Sequence, residues 1–161
     1  MKFSVHFDQS EFEFGPKIPV DCVPVFVFMC EEILEPTREF AGTKLQTTSG
    51  YRSIQSNLEA HGQPNSEHIA TPEHCACDFF PVGRAPREVF DWMRQNPALP
   101  YHQLILEHGQ NGSSVIHVSV NRSLVGVRSV LEGAVHNQSP YVAVDHVAYN
   151  SPGSSYGNEE A

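Results

Sequence analysis

The sequence predicts an α+β domain, a central antiparallel sheet with flanking helices, and three observations carry that reading. Tyr101 to Glu107 and Ser114 to Val120 flank Gly109-Gln110-Asn111-Gly112, the pattern of two strands joined in a hairpin. Cys75 to Phe80 is short, apolar and aromatic, and reads as a further strand. Two stretches, residues 21–39 and 86–95, place apolar residues at helical spacing.

Taken in order, Asp21 is expected to cap a helix running through Val25 to about Glu39, which buries Phe26, Met29, Cys30, Ile33 and Phe40. Pro36 should kink or interrupt it, because proline has no amide hydrogen to donate. Lys44 to Thr48 reads as a strand that delivers Ser49-Gly50-Tyr51-Arg52 to a turn. A short helix from Ser53 to Ala60 follows, ended by Gly62 and Pro64. Pro86 suits the first turn of a helix over Arg87 to Gln95, with Val89, Phe90 and Met93 facing the core and Trp92 in a packing role. Beyond the hairpin, Leu124 to Val127 and Tyr141 to Val147 are expected to be further strands. The tail from Tyr149 to Ala161, rich in Ser, Gly, Asn and acid, is expected to be disordered, so residues 1–148 form the single domain.

Composition excludes several function classes. At 161 residues the chain is long enough for one domain with its own core. Lys and Arg number 10 against 19 Asp and Glu, a formal charge of −9, and the basic residues are dispersed. That balance opposes attraction to nucleic acid phosphate or anionic lipid. The N-terminal Met1 to Asp8 is too polar for a signal peptide, and no stretch is long enough to insert into a membrane. Synthesis in the cytoplasm follows, with the four cysteines as thiols. A monomer is expected.

The chemistry concentrates in two segments, Ser66-Glu67-His68 with Asp78, and Glu107 with Ile116-His117-Val118-Ser119. Two imidazoles and two carboxylates are the parts of a mononuclear zinc hydrolase, in which three protein ligands leave a fourth position to water and a carboxylate takes its proton. His68, Asp78 and His117 would be the ligands of one Zn²⁺, and Glu107 the base. In the strand over residues 75–80, His74, Ala76 and Asp78 share one face while Cys75, Cys77 and Phe79 share the other. Both cysteines therefore point away from a metal held by Asp78, and no second cysteine pair exists to complete a structural zinc site.

The hairpin register is open at this level. If Glu107 pairs with Val115 it lies on the His117 face; if it pairs with Ser114 it points away, because a one-residue slip reverses the face. His108 is the local substitute for the base.

The order Ser49-Gly50-Tyr51-Arg52-Ser53, then Asn57, then Ser66-Glu67-His68, then Ala76-Cys77-Asp78, then a strand ending in Glu107, then Ile116-His117-Val118-Ser119 resembles the zinc D-Ala-D-Ala peptidases of the M15 family, above all their small phage and prophage members. The likeness runs from Ser10 to Arg122. It implies the Hedgehog/D-Ala-D-Ala peptidase fold, a peptidoglycan peptide as substrate, carboxypeptidase or endopeptidase activity, and action on the cell wall after release, as an endolysin does, or within a phage particle. It places Arg52 in the substrate site, where a guanidinium can bind a carboxylate or a developing oxyanion. Ser49, Tyr51 and Asn57 would shape the turn around Arg52, with Ser66 and Ser119 as supporting hydrogen-bond partners.

One departure is plain: nine residues separate His68 from Asp78, more than the family's pattern has, and His74 stands where that pattern has glycine. The loop over residues 69–73 reads as a three-residue insertion, and two alignments result. His68 is the ligand with a longer loop, or His74 takes its place; in the first case His74 is a substrate contact or support. The alternative function is a non-catalytic phage structural or binding module that retains the zinc fold.

Overall fold

The computed structural model describes residues 1–134 and 141–145. Its elements are α1 (Val23–Met29), α2 (Glu35–Ala41), β1 (Leu45–Ser49), α3 (Ile54–Glu59), β2 (His74–Pro81), α4 (Pro86–Gln95), β3 (Gln103–His108), β4 (Ser114–Asn121), β5 (Ser129–Ala134) and β6 (Val142–Asp145). The six strands form one sheet in the order β1-β2-β4-β3-β5-β6.

Side-chain alternation gives this sheet two different faces. Cys75, Cys77 and Phe79 of β2, Leu104 and Leu106 of β3, and Ile116, Val118 and Val120 of β4 point into the core beneath α1 and α4. The Cys75 thiol, for example, lies 3.6 Å from the Val25 carbonyl oxygen of α1. All four cysteines are buried and unpaired. The opposite face of the same strands carries Asp78, His117, Ser119, Ile105 and Glu107. A packed core on one side thus holds the other side rigid.

Three expectations change. The sheet is mixed, not purely antiparallel: β3 and β5 run parallel, and every other pair is antiparallel. The reason is connection length. β4 ends beside the start of β3, and residues 122–128 cross that same end before Ser129 joins the far edge of β3, its N–H bonded to the His102 carbonyl at 2.8 Å. Entering at the starting end, β5 has to follow the direction of β3. Secondly, Leu124 to Val127 is this crossing and not a strand. The Leu124 N–H donates to the Asn121 carbonyl and the Val127 N–H to the Leu124 carbonyl, with Gly126 at φ +84°.

Thirdly, Asp21 makes no side-chain cap; it lies inside a 3₁₀ turn, Val20–Cys22, that leads into α1. Pro36 does interrupt the helical run. Cys30–Leu34 widens into a π-helical turn in which the Glu35 N–H reaches the Cys30 carbonyl, and Pro36, which has no N–H to donate, follows directly in the first turn of α2. The remaining helices match the expected segments: Ser53 caps α3 by accepting from the Ser56 N–H, and Pro86 opens α4. Trp92 stacks on Phe40 at 4.5 Å with the rings 7° from parallel. Of the strand expected over Tyr141 to Val147, Val142–Asp145 is observed; its last two residues, 146 and 147, and the tail from Tyr149 lie outside the described residues. Among the described residues no helix is long and apolar enough to cross a membrane.

Before α1, Phe3, Phe7 and Phe12 pack as a cluster with Phe26, centroids 5.7–6.2 Å apart. Gly50, which follows β1, lies directly on this cluster: a β-carbon there would stand 2.5 Å from the Phe12 carbonyl oxygen and 2.7 Å from its α-carbon. Backbone cannot swing aside as a side chain can, so Gly50→Ala should destabilise the fold by about 1–3 kcal/mol, as overpacking does. Urea unfolding monitored by circular dichroism checks this, and a loss below about 0.5 kcal/mol, the range of neutral surface changes, would contradict it.

Candidate metal centre

The pairing of β2 with β4 sets Asp78 directly opposite His117. Their side chains therefore stand together on the face away from the core, and His117 Nδ1 lies 2.8 Å from Asp78 Oδ1. His68 reaches the same carboxylate oxygen from the loop before β2, its Nε2 at 3.2 Å. All three residues are buried, and one ligand atom from each falls within 4.8 Å of the others.

The orientation of His68 is fixed from behind. Its Nδ1 lies 2.7 Å from the Gly50 carbonyl oxygen, so Nδ1–H donates there and Nε2 is the ring atom turned towards Asp78. The Arg52 N–H donates to the His68 carbonyl at 2.8 Å and the His68 N–H to Ser66 Oγ at 3.3 Å. An irregularity in β1 sets Ser49 opposite Asp78 on this face: Thr47 pairs with Phe79 and Ser49 with Asp78, leaving Thr48 as the extra residue of a bulge.

Charge completes the picture. Burial alone would raise the Asp78 carboxyl, yet the two imidazoles outweigh it and hold that group far below the usual carboxylate range. Burial likewise opposes a charge on His117, and the bond to Asp78 reverses the balance and raises it. A buried carboxylate between two imidazoles is a place that favours positive charge, supplied by a proton or by a cation. Two imidazole nitrogens and one carboxylate oxygen are the donor set that suits Zn²⁺, and the open side of the group leaves room for a further ligand. The residues present fit a single zinc ion.

That open side faces a cavity of about 680 Å³, whose walls include Ser49, Arg52, Glu67, Glu107 and Tyr141 as well as the three candidate ligands. Glu107 pairs with Val115, which settles the register: its side chain lies on the His117 face and lines the cavity. His108 turns to the other side of the strand, where it meets Ser114 and Glu132. Arg52 stands beside the carboxylate, Nη2 at 3.5 Å from Asp78 Oδ2, and its Nε and Nη2 donate to Ser49 Oγ at 3.2 and 2.8 Å.

Other expected site residues sit behind the cavity. The His74 ring is occupied within its own loop, with Nε2 3.0 Å from the Ile69 carbonyl oxygen and Nδ1 3.1 Å from Thr71 Oγ1. The structure thus gathers His68, not His74, with Asp78 and His117. The enlarged loop over residues 69–73 closes on itself without displacing His68 from Asp78 and His117. Tyr51 packs its ring against the core. Asn57 is buried and donates to the Gln63 carbonyl at 2.9 Å, which pins the loop that walls one side of the cavity. Ser119 Oγ accepts from the Gln103 N–H at 3.1 Å.

Two partnerships escaped the sequence reading. Glu67 is 9% exposed and accepts from His102 Nδ1 at 3.0 Å and Asn121 Nδ2 at 2.8 Å, with Ser119 as a further partner. It clamps the His68 loop onto β3 and β4. Its position next to His68 was the only hint available. Tyr141, expected only as part of a strand, donates its hydroxyl to Glu107 Oε1 at 2.7 Å.

The comparison with protein families agrees with this arrangement. The family model described as Peptidase M15 matches residues 7–119, more than half of the chain and all of the residues from Arg52 to His117. No curated protein matches the chain.

Zinc binding should be measurable as stability. An ion at a hundredfold excess over its dissociation constant adds about 2.7 kcal/mol to unfolding. Without metal, the raised His117 contributes stability that is fully present below its unfolded pKa of about 6.5 and is lost as pH rises through its higher folded value. Zinc replaces that proton, so the rise in Tm on adding zinc should be larger at pH about 8 than at pH about 6. His117→Ala should abolish it. Thermal unfolding at both pH values checks this, and a zinc effect that grows towards acid would refute it.

Proposed function

The chain belongs to the peptidase M15 family, and on that premise we propose that it is a zinc-dependent peptidase that hydrolyses peptide bonds in the stem peptides or cross-links of peptidoglycan. The observation that carries this reading is the His68–Asp78–His117 group at the wall of an open cavity that Glu107 and Arg52 also line. The same likeness makes the Hedgehog/D-Ala-D-Ala peptidase fold the natural description of the domain, and a phage or prophage lytic enzyme its natural setting.

Zinc held by His68, Asp78 and His117 would supply Lewis acidity and a water of lowered pKa. The rest falls to the chain's own groups. Glu107 accepts the proton of the attacking water at a carboxylate oxygen and returns it to the amine nitrogen of the leaving residue. Arg52, held by Ser49, lies partly open to the cavity. Its guanidinium can bind the terminal carboxylate of a stem peptide or the negative charge that develops on the scissile carbonyl oxygen. Gly50, Ser66 and Glu67 act behind His68 to keep its ring in place. Release of a terminal D-alanine would mark a carboxypeptidase, and a cut within the stem or bridge an endopeptidase.

Incubation of the zinc-loaded protein with purified muropeptides, read by mass spectrometry, tests the reading and names the bond. Glu107→Gln should retain zinc and lose on the order of 10²- to 10⁴-fold in turnover, the range of a general base. Zinc loss in that variant, or unchanged turnover, would remove Glu107 from the role. Intact muropeptides after treatment with the folded, zinc-bound wild type would instead favour a binding or structural module.

A further inference from the structure

We propose that Tyr141 is the positioning residue for Glu107, and that Gly133 is glycine to let it serve. The inference rests on the peptidase reading above and concerns a part of the chain beyond the family match, which ends at residue 119. The parallel pairing of β5 with β3 sets Gly133 opposite Glu107. The antiparallel return of β6 pairs Val142 with Glu132, which brings Tyr141, the preceding residue, over Gly133. There its ring occupies the space a side chain would need: a β-carbon on Gly133 would stand 2.6 Å from Tyr141 Cδ1 and 3.2 Å from its Cα. From that seat the hydroxyl reaches across β5 to Glu107 Oε1 at 2.7 Å, inside the cavity that holds the candidate ligands.

The contact suits a base that has to accept a proton in one direction. Glu107 stands near the end of its strand, one residue before His108 closes it. A carboxylate there is free to rotate unless one oxygen is tied. An O–H donor to the ionised group is a strong, directional bond. With Oε1 held by Tyr141, Oε2 is the oxygen left to face the reacting water. Burial, followed by the bond to Glu107, pushes the Tyr141 hydroxyl well above the ordinary phenol range, so it stays a donor across the neutral range. Tyr141 transfers no proton in this scheme; it fixes the group that does.

The test is steady-state hydrolysis of muropeptides by zinc-loaded wild type, Tyr141→Phe and Gly133→Ala, each with its zinc content measured. Tyr141→Phe keeps the ring over Gly133 and removes only the hydroxyl. The expected result is a fall in kcat of at least about tenfold, with KM within about twofold and zinc retained. Gly133→Ala, which evicts the ring, should reproduce that fall in kcat. An unchanged kcat in Tyr141→Phe, or a change confined to KM, would overturn the positioning role while leaving the peptidase reading intact. A wild type that cleaves nothing would overturn both.

Discussion

One carboxylate organises this molecule. Asp78 Oδ1 is shared by His68 and His117, and the two reach it from different parts of the chain. The meeting depends on the register of β2 against β4, since side chains alternate and a slip of one residue would send His117 into the core and Val118 into the cavity. That register is set by the buried face. Cys75, Cys77, Phe79, Ile116, Val118 and Val120 all have to lie beneath the helices together, and a slip of one residue would turn one strand's set out of the core. The hydrophobic effect on one side of the sheet thus fixes chemistry on the other.

The irregular segments are held to this sheet by backbone contacts more than by side chains. The loop carrying His68 is tied to the one carrying Arg52 through the Gly50 carbonyl and the Arg52 N–H, and the Arg52 loop is seated on Phe12 because Gly50 has no side chain. Glu67 adds a buried anchor by pairing its carboxylate through hydrogen bonds with His102 and Asn121. Such a pair costs desolvation and adds little stability by itself, yet it permits few geometries. Precision in the site therefore comes from several short ties to rigid strands, the arrangement that a preorganised centre requires.

Local patterning marked most helices and strands, and the failures share a cause. Pro36 announced a break, and only the packed helix shows that a π-helical turn absorbs it. The parallel strand β5 was hidden because direction depends on where the chain re-enters the sheet, which is a property of strand ends in space. His74 and His68 were equivalent as ligand types until the loop between them was seen to use both nitrogens of His74. Tyr141 had no local mark at all, being an aromatic residue in a segment remote from the recognisable motifs.

By itself the sequence determined which chemistry was available: two imidazoles, two carboxylates and a guanidinium, within the stretch that matches the peptidase M15 family. It also determined which residues had to be buried, since apolar spacing is a local property. Tertiary structure decided which of those groups meet. Glu107 faces the centre because it pairs with Val115, His74 is spent on its own loop, and Tyr141 arrives over Gly133 by way of two further strands. Strand pairing joins residues far apart in the chain through backbone hydrogen bonds that any residue can make. The choice of partner is therefore written in the collective burial of a whole face and in no single motif.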